Sequence, residues 1–404
     1  MSKSTFFTGQ PIFTQLLGLI DRTAIKTLAC AGKHDHYYKH FNTHTHLVTM
    51  LYCVFNKCTS SREVVSGMKA CCHKLVHTGI SRVPGRSTLC DANMKRSFKV
   101  FEQIYQHLYK RHRALLPDSR IQCPKLFIAD SSTITLFQEI LKAPSMGKKN
   151  GKRKGGIKVH TLMDAAEDVP VQISFTAARA NDVTFLKDIH LPAGSFLVFD
   201  KGYVSYAQYQ RMSNNGVFFV TRNKKDAHYV TTGLNLLSEK DTSSGVLSDS
   251  DITLGTRTQR QKIKLKARLV TFFDREKGRL FEFLTNNFSL SAWQVAELYK
   301  KRWQIEMLFK RVKQNFPLKY FLGDNENAIK IQIWCAFIAD LLLKLVQVQL
   351  KRKWSFSNLS SIIRLHLMSY LHLSNFLNAP DKLPGTTKYN RQLKLGGLAF
   401  GLKT

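Results

Sequence analysis

The chain has 404 residues, 44% of them hydrophobic, which is enough for two or three domains around a sizeable core and excludes wholesale disorder. Its 61 Lys+Arg against 28 Asp+Glu give a net charge of +33, and an excess spread from end to end points to a polyanionic partner, most simply nucleic acid. The sequence shows neither a lipidation signal nor a basic amphipathic helix, and MSKSTFFTGQPIFTQ lacks the apolar run of a signal peptide, so a cytoplasmic protein without membrane contact is expected.

Residues 1–116 read as a helical unit. Apolar residues recur at helical spacing in FTQLLGLIDRTAI, HLVTMLYCVF and SFKVFEQIYQHLYKRH. Thr59-Ser60-Ser61 and Pro84-Gly85-Arg86-Ser87 mark helix starts. Short helices with basic ends suit DNA reading, although a plain helical bundle shows the same pattern. Eight cysteines, at 30, 53, 58, 71, 72, 90, 123 and 335, form no C-x-x-C pair, and the chain reads as reduced and free of zinc. The cluster His34, His36, His40, His44 and His46 lacks carboxylate or cysteine partners and reads as a polar helix edge.

From Pro124 the texture changes. KLFIAD, IKVHTLMD, VPVQISFTAA, SFLVFD and GVFFVTRN are short apolar runs bounded by turn residues, and NDVTFLKDIH and YVSYAQYQRMSN between them are helical. The order of three strands, helix, strand, helix, strand predicts a mixed α/β sheet. Residues 224–283 read as a β-rich insertion containing one strand pair, KIKLKARLVTFFD and RLFEFLTNN, turned at REKG. Beyond it, IWCAFIADLLLKLVQVQL is broken by Asp340 and Lys344 and reads as a buried helix rather than a membrane span. The helices at 346–404 end in a basic tail, rich in Gly and Pro from Asn378 and read as mobile.

Three acids stand out. Asp130 ends KLFIAD and Asp200 ends SFLVFD, each after an apolar strand where a carboxylate must be paired, hydrogen-bonded or metal-bound. Each also opens a turn-forming tetrapeptide, so a simple capping role is the alternative. Glu306 lies in ELYKKRWQIEMLFKRVKQNF with Tyr299, Arg302 and Lys313. If that run is one helix, the four project within a stripe about 60° wide. A solvated face on which Glu306 pairs with Arg302 and Lys310 is the competing reading. Trp303 flanks the stripe; it could stack on a base but is expected in the core. Three convergent carboxylates need cations, and their oxygens suit two Mg²⁺ ions, with Mn²⁺ as substitute, arranged for in-line attack on a phosphodiester. The Gly-rich loop GKKNGKRKGGIK offers Lys152, Arg153 and Lys154 to nearby phosphates. His160 is expected on the Asp130 side of the sheet, supporting the site by a hydrogen bond.

Tyr299-x₂-Arg302-x₃-Glu306-x₆-Lys313 resembles, without a gap, the YREK signature of bacterial insertion-sequence transposases of the insertion sequence 4 group. Asp130 in ADSST and Asp200 in DKGY resemble that family's first two catalytic acids. The resemblance implies a ribonuclease-H-like catalytic domain over 117–223 and 284–345, interrupted by the β-rich insertion, with Asp130, Asp200 and Glu306 as catalytic metal ligands. It further implies that Tyr299, Arg302 and Lys313 touch DNA near the cleaved phosphate. The expected activity is cleavage at an element's terminal inverted repeats and joining to target DNA, carried out by a homodimer or higher multimer. A nuclease of this fold that cuts without joining, or an inactive DNA-binding regulator derived from it, are the alternatives.

Overall fold

The computed structural model describes residues 9–116, 125–136, 145–149, 152–255 and 264–381, with backbone alone at residues 136, 145–149 and 152–155. Seven helices open the chain: α1 (Ile12–Leu17), α2 (Arg22–Ala31), α3 (Thr43–Asn56), α4 (Ser61–Ala70), α5 (Cys72–Leu75), α6 (Arg86–Lys95) and α7 (Lys99–His112). The single helical pattern of FTQLLGLIDRTAI is divided at Asp21, whose carboxylate accepts from the Thr23 and Ala24 N–H groups and so starts α2. Ser60 caps α4 by accepting from the Glu63 N–H, and Gly85 precedes α6. His46, from the histidine cluster, is enclosed in this bundle beside Phe41 and Phe101, with Nε2 2.7 Å from Asn93 Oδ1.

The middle of the chain runs β1 (Leu126–Leu136), β2 (Ser145–Lys149), β3 (Lys152–Asp164), β4 (Val169–Ala177), α8 (Val183–Asp188), β5 (Phe196–Phe199), α9 (Tyr206–Asn214) and β6 (Phe218–Arg222). Then come β7 (Tyr229–Leu234), α10 (Glu239–Ser244), β8 (Val246–Gly255), β9 (Lys264–Asp274), β10 (Arg279–Thr285), α11 (Ala292–Lys300), α12 (Trp303–Asn315), α13 (Glu326–Gln349), α14 (Phe356–Leu365) and α15 (Leu373–Asn378). All ten strands join one mixed α/β sheet, in the order β2-β3-β1-β5-β6-β10-β9-β8-β7 with β4 also on β3. Strands β1, β5 and β6 are parallel, and β3 and β4 return antiparallel. The expected β-rich insertion is continuous with this sheet. Its strands extend the central sheet, with β10 antiparallel on β6 and crossing the expected boundary at residue 283.

Side chains alternate across β1 and sort the layers. Phe127 and Ala129 pack with Phe185 of α8 and Tyr209 and Met212 of α9 on one face. Ile128 and Ile134 face a second core, shared by the N-terminal helices, α12, α13 and α14. α11 covers the β5–β6–β10–β9 part of that second face. α13 is the one helix among the described residues long and apolar enough to cross a membrane, and it is buried here among other helices. Arg311 of α12 fastens this layer. Its guanidinium donates to Asp340 of α13 (2.9 and 3.0 Å) and to Asp168 in the β3–β4 turn (2.7 Å), which also accepts from Lys344 (2.7 Å).

Candidate active site

Ala129 pairs with Phe199 across the parallel β1–β5 register, so the next residues in the two chain segments, Asp130 and Asp200, stand side by side. Asp200 stands just past β5 and opens a 3₁₀ turn, Lys201–Tyr203. Asp130 does not end its strand, contrary to the sequence reading. Ser131, Ser132 and Thr133 continue the pairing with His160, Val159 and Lys158, because the following Thr and Ile residues suit a strand as well as a turn.

Glu306 arrives from above on α12. The run expected as one helix is two: α11 stops at Lys300 and α12 starts at Trp303. Lys301 and Arg302 keep helical torsions, but the N–H groups of Arg302, Gln304 and Ile305 bond to carbonyls three residues back instead of four. This tightening turns the stripe at the point where the cover passes from α11 to α12.

Arg302 ties the acids together. Its guanidinium donates to Asp130 Oδ2 (3.1 Å) and to Glu306 Oε1 (2.5 Å). The pair with Glu306 is the one the solvated-face reading expects, but the Arg302 side chain is only 15% exposed and reaches Asp130 as well, so it is more than a surface ion pair. Asp200 accepts from Arg222 (2.8 Å) and from the Tyr299 phenol (3.2 Å). Lys313, two turns past Glu306, donates to Ser132 Oγ (2.7 Å) and the Thr133 carbonyl (3.2 Å), pinning α12 over β1. Tyr299, Arg302 and Lys313 thus reach Asp200, Asp130 and the strand that carries Asp130, and Glu306 joins them through Arg302.

The electrostatics separate the two aspartates. Burial pushes Asp130 up to about 6, and the charges of Asp200 and Glu306 add to it against the Ser131 N–H and Arg302. Burial acts in the same direction on Asp200, but the Arg222 hydrogen bond and charge outweigh it and hold that carboxyl below its ordinary range. The Tyr299 phenol is raised to about 12, mainly by burial, and stays a donor. Among the described residues no three acid, histidine or cysteine side chains stand close enough to grip an ion as they lie. Arg302 fills the gap between Asp130 and Glu306. The donor set nevertheless fits divalent ions: three carboxylates from three elements, one of them buried and, with two acids beside it, short of positive charge.

His160 lies elsewhere. The β1–β3 register sets it opposite Ser131, not Asp130, and so on the other face of the sheet, against Phe185. There it meets a fourth acid that the sequence did not single out. Asp182 Oδ1 accepts from Ser131 Oγ (2.9 Å) and Lys158 Nζ (3.0 Å), with His160 Nδ1 at 3.7 Å. At the head of a helical NDV run Asp182 reads as a cap, yet it makes no capping bond. Arg222, at the end of β6, is a second residue missed, since a strand-end Arg before a loop carries no sequence signal. Trp303 is 59% exposed beside Glu306, not in the core. The expected phosphate loop is instead the β2–β3 hairpin, with Lys149 opposite Lys152, and the side chains of Lys152, Arg153 and Lys154 lie outside the described residues.

Comparison with known proteins identifies the family. Residues 121–342 match the transposase DDE domain family, and residues 8–81 match a domain of unknown function. A transposase-named protein of Sinorhizobium fredii, y4zB, is 32% identical over 65% of this chain and 71% of its own length. A Geobacillus stearothermophilus protein named for transposition of insertion sequence element IS5377 is 30% identical over 59% of this chain and 61% of its own. The solved synaptic complex of piggyBac transposase with hairpin DNA aligns over 95% of this chain and 82% of that one at TM-score 0.43 and 10% identity, a likeness too slight to argue from.

Proposed function

Because the chain belongs to the DDE transposase family and is a DNA transposase, we propose that it cuts at the terminal inverted repeats of an insertion sequence of the insertion sequence 4 group and joins the ends to target DNA. The observation that carries this reading is the convergence of Asp130, Asp200 and Glu306, from β1, the end of β5 and α12, around Arg302 and Tyr299. The strand order β4-β3-β1-β5-β6, with its antiparallel and parallel pairs, supports a ribonuclease-H-like core.

Asp130, Asp200 and Glu306 would hold two Mg²⁺ ions, or Mn²⁺ in their place. When bound, such ions activate a water or 3′-hydroxyl and stabilise the departing oxygen. The protein's own groups do the rest. Arg302 exchanges its carboxylate partners for phosphate oxygens of the reacting strand, which a planar guanidinium grips in two places. Tyr299 keeps Asp200 oriented through its hydroxyl. Lys313 and the lysines and arginine at 152–154 draw the backbone toward β1. Trp303, exposed next to Glu306, offers an indole face for an unpaired base. His160 braces β1 from behind through the Asp182 cluster. The reaction takes place in the cytoplasm, on duplex DNA, between copies of the chain.

Asp130→Asn, Asp200→Asn and Glu306→Gln should each lower Mg²⁺-dependent cleavage of a duplex carrying the element's end by at least about a thousandfold. Binding to the same duplex should change little, because affinity comes from many dispersed cations. Robust cleavage by any one variant removes that acid from the site. Nicked products without joined element–target molecules would favour the nuclease reading.

A further inference from the structure

The two edges of the sheet differ in chemistry. At one end of the strand order is β2, with Lys148 and Lys149 in its sequence, beside β4, which also pairs only with β3; at the other is β7, Tyr229–Leu234, of sequence YVTTGL, without a charge or a proline. Among the described residues β7 pairs only with β8, so no described strand lies beside its outer N–H and C=O groups. Val230 is 68% exposed, Leu234 80% and Leu236 fully so. Natural edges are blunted by lysines, prolines or inward charges. This edge has one irregularity, between Thr231 and Gly233, and none of those devices.

The surrounding charge is equally unusual. Residues 229–255 hold one lysine, Lys240, against Glu239, Asp241, Asp249 and Asp251, in a chain of net charge +33. A surface meant for phosphates would carry cations, and this one carries almost none. An uncharged strand edge with exposed apolar side chains is instead a template for another strand. We propose that β7 is a homodimer contact, in which the β7 edges of two copies pair antiparallel about a twofold axis and join their sheets. Two bodies each of +33 repel, so they meet most cheaply where the chain is least cationic. An isologous pairing satisfies this on both sides at once, and it leaves the basic β2 edges pointing outward.

The inference is independent of the chemistry proposed at the carboxylates, because its test needs neither DNA nor metal. Sedimentation of the full chain at high salt over a concentration series should show a monomer–dimer equilibrium. Val230→Lys with Leu234→Lys should weaken it at least about tenfold, some 1.4 kcal/mol. Both side chains are exposed, so circular dichroism and the thermal midpoint should be unchanged, and Val230→Thr should leave dimerisation intact. Hydrogen exchange of the Tyr229–Leu234 amides should slow as dimer forms. A chain that stays monomeric throughout, a dimer indifferent to the double lysine variant, or β7 amides protected only on adding DNA would each overturn the proposal.

Discussion

Asp130 is the residue where packing and chemistry oppose each other most. Its carboxyl is raised from the usual 3.8 to about 6, so the folded chain holds that proton more tightly than the unfolded chain does. Stability from this group is therefore present at acid pH and falls as pH rises between those two values. Without divalent ions, Asp130→Asn should stabilise the protein by on the order of 3 kcal/mol near neutral pH, less whatever its bond to Arg302 contributes, and by almost nothing below about pH 4. Urea unfolding at both pH values checks this, and an equal effect at both would show that the acids are not crowded. Arg302 and Lys313 belong to the same balance from the cationic side. Changing both to alanine should weaken duplex binding only modestly, yet lower second-strand and joining rates more than the first nick. Wild-type rates at every step would reduce these two side chains to struts.

Among the elements, α12 decides whether the site is assembled, and Arg311 decides where α12 sits. Arg311 and Asp340 are both removed from water and held against Asp168 and Lys344. Arg311→Met leaves Asp340 buried without its main partner, a loss of about 3–5 kcal/mol, whereas adding Asp340→Asn should recover part of it; a denaturation cycle over the two sites measures this. Much of this layer was legible in sequence, since the Tyr–Arg–Glu–Lys spacing is local and the runs that lead to Asp130 and Asp200 are plainly apolar. The tightening at Arg302 was not, because residues there keep helical torsions and the apolar phase barely shifts. The facing of His160 was not either: it depends on the register between β1 and β3, and a shift of one residue reverses it. β7 and β8 escaped notice because YVTTGL is short and almost wholly exposed and VLSDSDITLG is rich in Ser and Asp, so neither forms an apolar run.

For the molecule as a whole, the helical first part is bound to the end of the chain. The backbone N–H groups of Ile12 and Phe13 donate to the carbonyls of Ser369 and Leu367, Asn327 of α13 bonds the carbonyls of Asn93 and Arg96, and Tyr105 packs on Trp334. The sequence suggested that residues 1–116 bind element ends when expressed alone. With α13 absent, much of their apolar surface is uncovered, so that fragment should show no cooperative unfolding and rapid proteolysis. A chain that also retains 326–381 should resist both. A fragment that melts cooperatively would show that α13 is dispensable to it. The same tie has a consequence for synthesis. The first helices leave the ribosome long before residue 349 is made, by on the order of 10–50 seconds at usual elongation speeds. Through that interval their greasy faces have no permanent cover and need chaperones or one another. A gene copy cut short before Glu326 would then yield debris for proteases, not a DNA-binding fragment able to compete with the intact protein.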